Sequence, residues 1–190
     1  SCFHTCENIF SRAGIPETAI IVSDSGMTGG NRSHEFILPT PEGDDPIALC
    51  RACCYRANPE VAGNRAVDRR TDEAEALKLV YTPGIHTISE LCAYLNISLE
   101  NTCKAVVYQR TASGKYVVVF IRGDFDVSET KLRNYLGGEV NPAVITDDCG
   151  LYAGFIGPYQ INGDCLVLYD LSLQGAQYLA CGANIAEHHY

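Results

Sequence analysis

The spacing of hydrophobic residues predicts a helix at the start of the chain and two strands after it. Apolar side chains recur every three or four positions in residues 1–12, which is typical of one face of a helix. The apolar runs 19–22 and 36–38 predict two strands, separated by glycines and closed by Pro39 and Pro41. Because the sequence opens inside a helix, we expect it to be a piece of a longer protein.

A second helix is predicted to begin after Thr87. Thr87 and Glu90 have the spacing of a capping box, in which each side chain bonds to the backbone amide of the other residue. Apolar residues then repeat at helical intervals for about two turns. They are Ile88, Leu91, Cys92 and Leu95.

A β-hairpin and a third helix are predicted next. β-branched and aromatic residues fill the runs 105–108 and 116–121, and Ser113-Gly114 between them is a turn signal. Ser128 can cap a helix that stops at Gly137-Gly138. The side chains of this helix predicted to face inward are those of Leu132, Tyr135 and Leu136.

The order of the elements predicts an α+β fold. Further short strands are expected at residues 143–145, 165–169 and 178–181. Strands and helices in mixed order favour one mixed, curved β-sheet with several short helices packed around it. Residues 39–46 are rich in proline, glycine and acid and mark a domain boundary. The charged, alanine-rich residues 59–78 are interpreted as a solvated helix or linker.

Charge and composition narrow the class of protein. The formal charge of the 190 residues is −9, and basic residues are not clustered, which disfavours an autonomous, high-affinity nucleic-acid binder. The longest apolar run, residues 116–121, is far shorter than the ~20 residues that cross a bilayer, so no membrane span or signal peptide is expected. Ten cysteines are present, and several lie inside apolar runs, which favours reduced thiols and a cytoplasmic protein. These are Cys92, Cys103, Cys165 and Cys181.

Two segments have weak signals for metal or phosphate. Cys50 and Cys53 have half of the spacing of a zinc ribbon, but there is no second such pair, so structural thiols are favoured over a metal site. The glycine-rich loop 25–30 lacks the Lys-Ser/Thr ending of a phosphate-binding loop, and a tight turn is favoured. The other residues that could in principle join a metal site are Cys2, His4 and Cys6.

A polar pocket could form at the ends of the later strands. Lys104 precedes the apolar run 105–107, where a charged side chain must face water or a site. The loop 154–158 could direct backbone amides at a ligand, Asp170 follows a predicted strand, and His188-His189 lie near the end of the chain. An ordinary surface position stays an open alternative for each. No nucleophile with a partner base is visible.

The region 24–36 resembles a motif of bacterial-type prolyl-tRNA synthetases. It reads Asp-Ser-Gly, two further residues, Gly-Gly, two further residues, then Ser-His-Glu-Phe. Later segments follow in the order expected of the editing domain that is inserted in this family. They are residues 43–45, 50–58, 82–84, 101–104, 121–124, 154–158, 182–184 and 189–190.

The resemblance implies a domain organisation and a function. Residues 1–45 would be a remnant of the class II catalytic domain, and residues 46–190 the inserted editing domain, with a compact core from about residue 79. Such insertions hydrolyse alanine that has been esterified by mistake to the tRNA for proline. The implied partners are the aminoacylated 3′ end of tRNA(Pro) and the remainder of a synthetase that is a homodimer; no membrane partner is implied. No cofactor is implied for editing, since ATP and Mg²⁺ serve only the full-length synthetase.

The resemblance also implies a site. Lys104 would hold the terminal adenosine or its phosphate, and the backbone amides of Gly154 and Gly157 would stabilise the oxyanion. The other residues would shape a small pocket and bind the α-amino group or water, without a metal and without an acyl-enzyme. They are Thr82, Pro158, Asp170 and His189.

Two alternatives to this function stay open. The first is a free-standing trans-editing deacylase for cysteinyl-tRNA(Pro), against which the Ser-His-Glu-Phe segment argues. The second is a non-catalytic module that binds the acceptor end of tRNA, with Lys104 as an anchor only.

Overall fold

The chain divides into two compact units, Ser1–Asn64 and Arg65–Tyr190. A computed structural model describes residues 2–15, 19–26, 33–63, 76–146 and 149–190. Helices and mixed β-sheets occur together, which confirms the predicted α+β class. The first unit extends past the expected boundary at residue 45, because two short strands beyond it pair within that unit. The assignment of residues 1–45 to one domain and 46–190 to another stays a prediction.

The first unit contains one helix and a four-stranded sheet. Helix α1 spans Cys2–Arg12, as its apolar spacing predicts. Strand β1 (Ala19–Ser23) pairs antiparallel with β2 (Ser33–Ile37), so both strands predicted here are confirmed. The short strands β3 (Ala48–Leu49) and β4 (Arg56–Ala57) complete the sheet in the order β2-β1-β4-β3. Residues 27–32, which form most of the glycine-rich loop, lie outside the described residues.

The second unit is organised around a four-stranded mixed sheet. Strands β6 (Cys103–Arg110) and β7 (Tyr116–Arg122) form the predicted antiparallel hairpin. Strand β8 (Val140–Pro142) pairs with β6, and β9 (Cys165–Tyr169) pairs parallel with β7, which gives the order β8-β6-β7-β9. Most of β7 is buried, since it is central and covered on both faces, and this explains its run of β-branched residues.

Both predicted helices of this unit are present with their caps. Helix α2 (Ile88–Leu95) begins with the capping box of Thr87 and Glu90. Helix α3 (Glu129–Leu136) is capped by Ser128, whose hydroxyl accepts from the amide of Lys131, and ends at Gly137 in the left-handed conformation.

One side chain of α3 was assigned to the wrong face. Leu132 is buried and Leu136 packs beside it, as predicted. Tyr135 is 76% exposed, so its prediction as an inward-facing residue was wrong. The i, i+3 and i+4 positions form one broad stripe of a helix, and Tyr135 lies at the edge of that stripe, where its side chain reaches solvent.

Two of the predicted strands are absent from their expected positions. Residues 143–145 do not pair as a strand. The amide of Ala143 donates to the carbonyl of Val107, and two residues further along the chain Ile145 packs on the core. Residues 178–181 form only one bridge, between Ala180 and Thr102. Tyr178 has a positive φ of 57°, which interrupts an extended chain. Burial rather than strand pairing explains the apolar character of Ile145, Leu179 and Cys181, whereas Val144 and Tyr178 are exposed.

The core of the second unit lies on both faces of the sheet, because alternate residues of β7 point to opposite sides. On one face Val118 and Phe120 pack with Cys103, Cys181 and Ile156. The other face packs against α3 and comprises Tyr108, Val117, Val119, Leu132 and Val140.

The remaining expectations concern cysteines, charges and membranes. All ten cysteines are free; Cys103 and Cys181 are buried, whereas Cys92 and Cys165 are half-buried. Most of the charged stretch 59–78 lies outside the described residues. Within the described ranges, no helix has the length and apolarity needed to cross a membrane.

A two-stranded ladder brings the end of the chain back to the start of the second unit. Strand β5 (Val80–Tyr81) pairs antiparallel with β10 (His188–His189). The amide of Thr82 then donates to the carbonyl of Glu187. This ladder places Thr82 and His189 side by side in the fold, although they are far apart in sequence.

Candidate active site

A cavity of about 360 Å³ opens beside the N-terminal half of β6. This volume lies at the small end of the range of ligand pockets in proteins. Its walls are β6, the start of α2, the segment after β8, the 154–156 turn and the end of the chain. The lining residues include His86, Lys104, Ala105, Ile145, Gly154 and His189.

Two glycines allow the cavity wall to form. The backbone at Gly157 passes so close to Gly182 that a β-carbon on Gly157 would overlap the Gly182 carbonyl oxygen. A β-carbon on Gly182 would in turn collide with the carbonyls of Phe155 and Ile156. Only glycine permits this approach of two backbones, which holds the 154–157 turn against the end of the chain.

His189 and Thr82 form a buried polar pair at one side of the cavity. The hydroxyl of Thr82 lies 2.6 Å from Nδ1 of His189, and both residues are almost fully buried. Burial lowers the pKa of His189, although a hydrogen bond to the Gly154 backbone opposes this shift. The imidazole is therefore neutral near pH 7 and ties Gly154 to Thr82.

Lys104 lines the cavity and forms an ion pair. Its Nζ donates to Oδ1 of Asp126 at 2.9 Å. The lysine side chain is 23% exposed, whereas that of Asp126 is 96% exposed. An ion pair with a fully solvated partner is worth at most about 1 kcal/mol, so a ligand anion can replace the carboxylate at little cost.

Four predicted site residues do not line the cavity, although one of them, Thr82, contacts His189, which does. Asp170 is exposed, and its carboxylate accepts from the amide of Ser172 as the cap of the 3₁₀ turn Leu171–Leu173. Pro158 is half-buried and does not line the cavity. The same holds for Gly157, whose amide donates to Oδ1 of Asn184 at 2.9 Å. Because this donor is already used, the oxyanion role predicted for Gly157 does not fit the structure.

Helix α2 contributes to the cavity wall, which was not predicted from the sequence. His86 packs edge-on against Phe155 at 5.1 Å between ring centroids and contacts Gly154. Ile88 and Leu91 form an apolar wall of the cavity. The capping box predicted the helix, but nothing local in the sequence indicated which face of it would meet β6.

The cysteine in the cavity wall is not a nucleophile. Burial raises the pKa of Cys103 to about 12, and that of Cys181 to about 11. Both thiols stay protonated near pH 7, and the thiolate is the reactive form.

Comparison with known proteins identifies the family. Residues 82–190 match the aminoacyl-tRNA editing domain, and this range covers the elements that form the cavity. A solved structure described as hypothetical protein APE2540 has a similar fold, with a TM-score of 0.53 and 19% identity, over 59% of this chain and 77% of that one. The chain belongs to the aminoacyl-tRNA editing domain family, whose general activity is the hydrolytic editing of aminoacyl-tRNA.

The chain is also similar to proline-tRNA ligases. The enzyme of Dehalococcoides mccartyi is 39% identical over 183 residues, which is 94% of this chain and 31% of that protein. The enzyme of Bacillus subtilis is 35% identical over 193 residues, which is 99% of this chain and 34% of that protein. The chain therefore spans about a third of the length of these relatives.

Proposed function

We propose that this chain hydrolyses the ester of alanyl-tRNA(Pro) as the editing domain of a prolyl-tRNA synthetase. The observation that carries the proposal is the cavity, which gathers Lys104, Gly154 and His189 in a domain of the editing family. Similarity to proline-tRNA ligases along nearly the whole chain supports the identity of the tRNA.

The proposed substrate carries a small amino acid, because such an ester is the error that a proline-specific site makes. A synthetic site that accepts proline gains only about 1–3 kcal/mol per methylene against the smaller alanine, which is too little for accurate translation. A second site closed to proline supplies the remaining discrimination. In this proposal Ile88 and Leu91, which line the cavity, would contact the methyl group of alanine and exclude the larger ring of proline.

Lys104 would fix the end of the tRNA. Its ammonium group is the cation of the cavity wall, and its partner Asp126 is almost fully exposed. A phosphate of the terminal nucleotide would replace that carboxylate and hold the ester in a defined position. Such positioning lowers the entropy that must be lost before the reaction.

Hydrolysis would proceed by direct attack of water. The oxygen of water adds to the ester carbonyl, and the oxyanion that forms accepts a hydrogen bond from the amide of Gly154. Collapse of this intermediate breaks the bond to the ribose oxygen, which takes up a proton, and alanine leaves with its carboxylate. His189 would act as a positioning residue, since it holds the Gly154 turn through its ring.

The proposal includes the partners and cofactors of the longer protein. The substrate partner is the aminoacylated 3′ end of tRNA(Pro), and the remainder of the synthetase, as a cytoplasmic homodimer, would deliver it. Editing would need no cofactor, whereas ATP and Mg²⁺ would serve only the synthetic reaction elsewhere in that protein.

A deacylation assay with two lysine variants tests the proposal. We expect the chain to release alanine from alanyl-tRNA(Pro) and Lys104→Ala to lower kcat/KM at least tenfold. Lys115→Ala is the matched control, because Lys115 also forms an exposed ion pair, with Asp164, but does not line the cavity. Background release by the unmodified chain and by Lys104→Ala alike would reject the proposal.

The same assay separates the two alternatives. Faster release of cysteine from cysteinyl-tRNA(Pro) than of alanine would indicate a trans-editing type of specificity. Binding of an acceptor-stem RNA without turnover of any ester would indicate a module that only anchors the tRNA end.

A further inference from the structure

The backbone groups of β6 alternate in direction. The amide of Arg110 donates to Lys115, so the even-numbered residues of β6 bond to β7. The odd-numbered residues therefore point to the outer edge. Their bonds confirm this: the amide of Cys103 donates to Ala180, and the carbonyl of Val107 accepts from Ala143.

Between these two bonds the outer edge of β6 is open at Ala105. Strand β8 pairs with β6 only from Tyr108 to Arg110. If this register continued, Ile145 would face Ala105, but the chain has turned away to the core by then. Among the described residues, none bonds to the amide or the carbonyl of Ala105. Ala105 and Ile145 both line the cavity, so this stretch of strand edge faces the candidate site.

A free strand edge selects for a particular chemistry. One residue of an edge offers an N–H donor and a C=O acceptor on the same side, and a partner residue bonds to both at once. An α-aminoacyl ester has the matching pair: an ammonium group that donates and, one carbon away, a carbonyl oxygen that accepts. Such an ester can therefore pair with a strand edge as one residue of a neighbouring strand would.

We propose that the backbone of Ala105 binds the aminoacyl group of the substrate as such a one-residue strand. The substrate ammonium group donates to the Ala105 carbonyl, and the ester carbonyl accepts from the Ala105 amide. This inference rests on the proposed function and names the groups that orient its substrate. The backbone of Ala105 binds the ammonium and carbonyl groups that all α-amino esters share. Selectivity for the side chain of the amino acid comes from Ile88 and Leu91 in the cavity wall.

The Ala105 amide also supplies a donor that the site otherwise lacks. The amide of Gly157 is bonded to Asn184, which leaves Gly154 as the one predicted oxyanion donor in the cavity wall. An N–H group directed at the ester carbonyl from β6 would share the charge that develops on this oxygen. Removal of one such donor lowers kcat by about 10²–10³ in enzymes that use them.

Replacement of the Ala105 amide by an ester oxygen tests the inference. Lactic acid introduced at position 105 of the 190-residue chain keeps the shape of alanine, removes the N–H and weakens the preceding carbonyl of Lys104 as an acceptor. Because this N–H has no partner in the fold, we expect the melting temperature to fall less than it does with the same kind of replacement at Val119, where a ladder N–H is lost as well. We expect kcat/KM for alanyl-tRNA(Pro) to fall at least tenfold.

The matched control is the corresponding α-hydroxy acid at Val119. The amide of Val119 donates to Val106 inside the β6–β7 ladder and does not line the cavity. This control should lower the melting temperature and leave kcat/KM unchanged at a temperature well below unfolding. The replacement at position 105 should thus mainly lower kcat/KM, and the replacement at Val119 should mainly lower the melting temperature.

The outcomes distinguish this inference from the function on which it rests. If the unmodified chain deacylates alanyl-tRNA(Pro) and the ester at position 105 has the same kcat/KM, the inference is wrong and the proposed function stands. If the unmodified chain has no activity on any aminoacyl-tRNA, both fail. A drop in melting temperature at position 105 that equals the drop at Val119 would show that the amide has a structural partner, and would also overturn the inference.

Discussion

The two halves of strand β6 have the same neighbour on one side and different neighbours on the other. From Tyr108 to Arg110 the strand is paired with both β7 and β8. From Cys103 to Val107 it is paired with β7 along its length, while its outer edge borders a cavity. Both halves pair with β7 in one continuous register, so the difference comes from what lies beside the outer edge.

This difference indicates that one half of β6 contributes to stability and the other half to ligand binding. In the closed half, backbone groups bond to protein, and Tyr108 is buried with Leu132 and Val140. In the open half, Lys104 has a solvated partner and Ala105 has bonding groups that a ligand can use. We therefore expect changes around the closed half to alter stability, and changes around the open half to alter activity.

The largest effect is expected from Gly157→Ala, behind the open half. The new methyl group would overlap the Gly182 carbonyl and force two backbones apart. We expect a loss of about 3 kcal/mol in the free energy of unfolding and loss of deacylation, measured by denaturant titration and by the editing assay. Gly138→Ala is the control near the closed half, because its methyl group meets only the tip of Arg110 at 3.8 Å.

Next in size is Leu132→Ala, beneath the closed half. Leu132 is buried against β6 and β7, and its truncation should lower the free energy of unfolding by about 2–3 kcal/mol. Tyr135→Ala on the same helix should change it by less than about 0.5 kcal/mol, since Tyr135 is exposed. Both variants should keep the kcat/KM of the unmodified chain while folded; a tenfold loss in either would contradict the division between the two halves.

A smaller effect on stability is expected at acidic pH, because His189 becomes protonated. The pKa of His189 is lowered in the fold, so the unfolded chain binds a proton at higher pH than the folded one. The stability that the fold gains from this difference in pKa is fully present above the pKa of about 6.5 in the unfolded chain. It is lost as the pH falls below that value. The melting temperature should decrease over this window, and His189→Gln should flatten that part of the profile.

His188→Gln is the control for the titration of His189. His188 is more exposed, and its Nδ1 contacts the carbonyl of Ala186 outside the cavity. We expect this variant to keep the acid dependence of the unmodified chain. If the melting temperature of the two histidine variants depended on pH in the same way, the acid dependence would come from a group other than His189.

The smallest effect is expected from Asp126→Asn. It removes an exposed ion pair and should change the free energy of unfolding by less than about 1 kcal/mol. Lys104 would lose the competing anion, so KM for the aminoacyl-tRNA should stay the same or decrease. An increase in KM by tenfold or more would mean that Asp126 itself holds the lysine in its working position.

The sequence predicted the elements of the second unit better than their contacts. The capping box at Thr87 and the hairpin at residues 105–121 were found because their signals are local. The cavity wall formed by His86 and Ile88 was missed, and Asp170 was assigned to a site it does not reach. A strand-end acid looks the same in sequence whether it caps a turn or faces a ligand.

The sequence by itself determined where helices begin and end, that residues 105–121 form a hairpin, and the family to which the editing motifs point. These depend on neighbours within a few residues, or on the order of motifs along the chain. Only the tertiary structure decided that β8 leaves β6 after Ala143, that Gly157 gives its amide to Asn184, and that His189 lies beside Thr82. Each of these depends on packing between distant segments, where burial and the satisfaction of hydrogen bonds outweigh local preference.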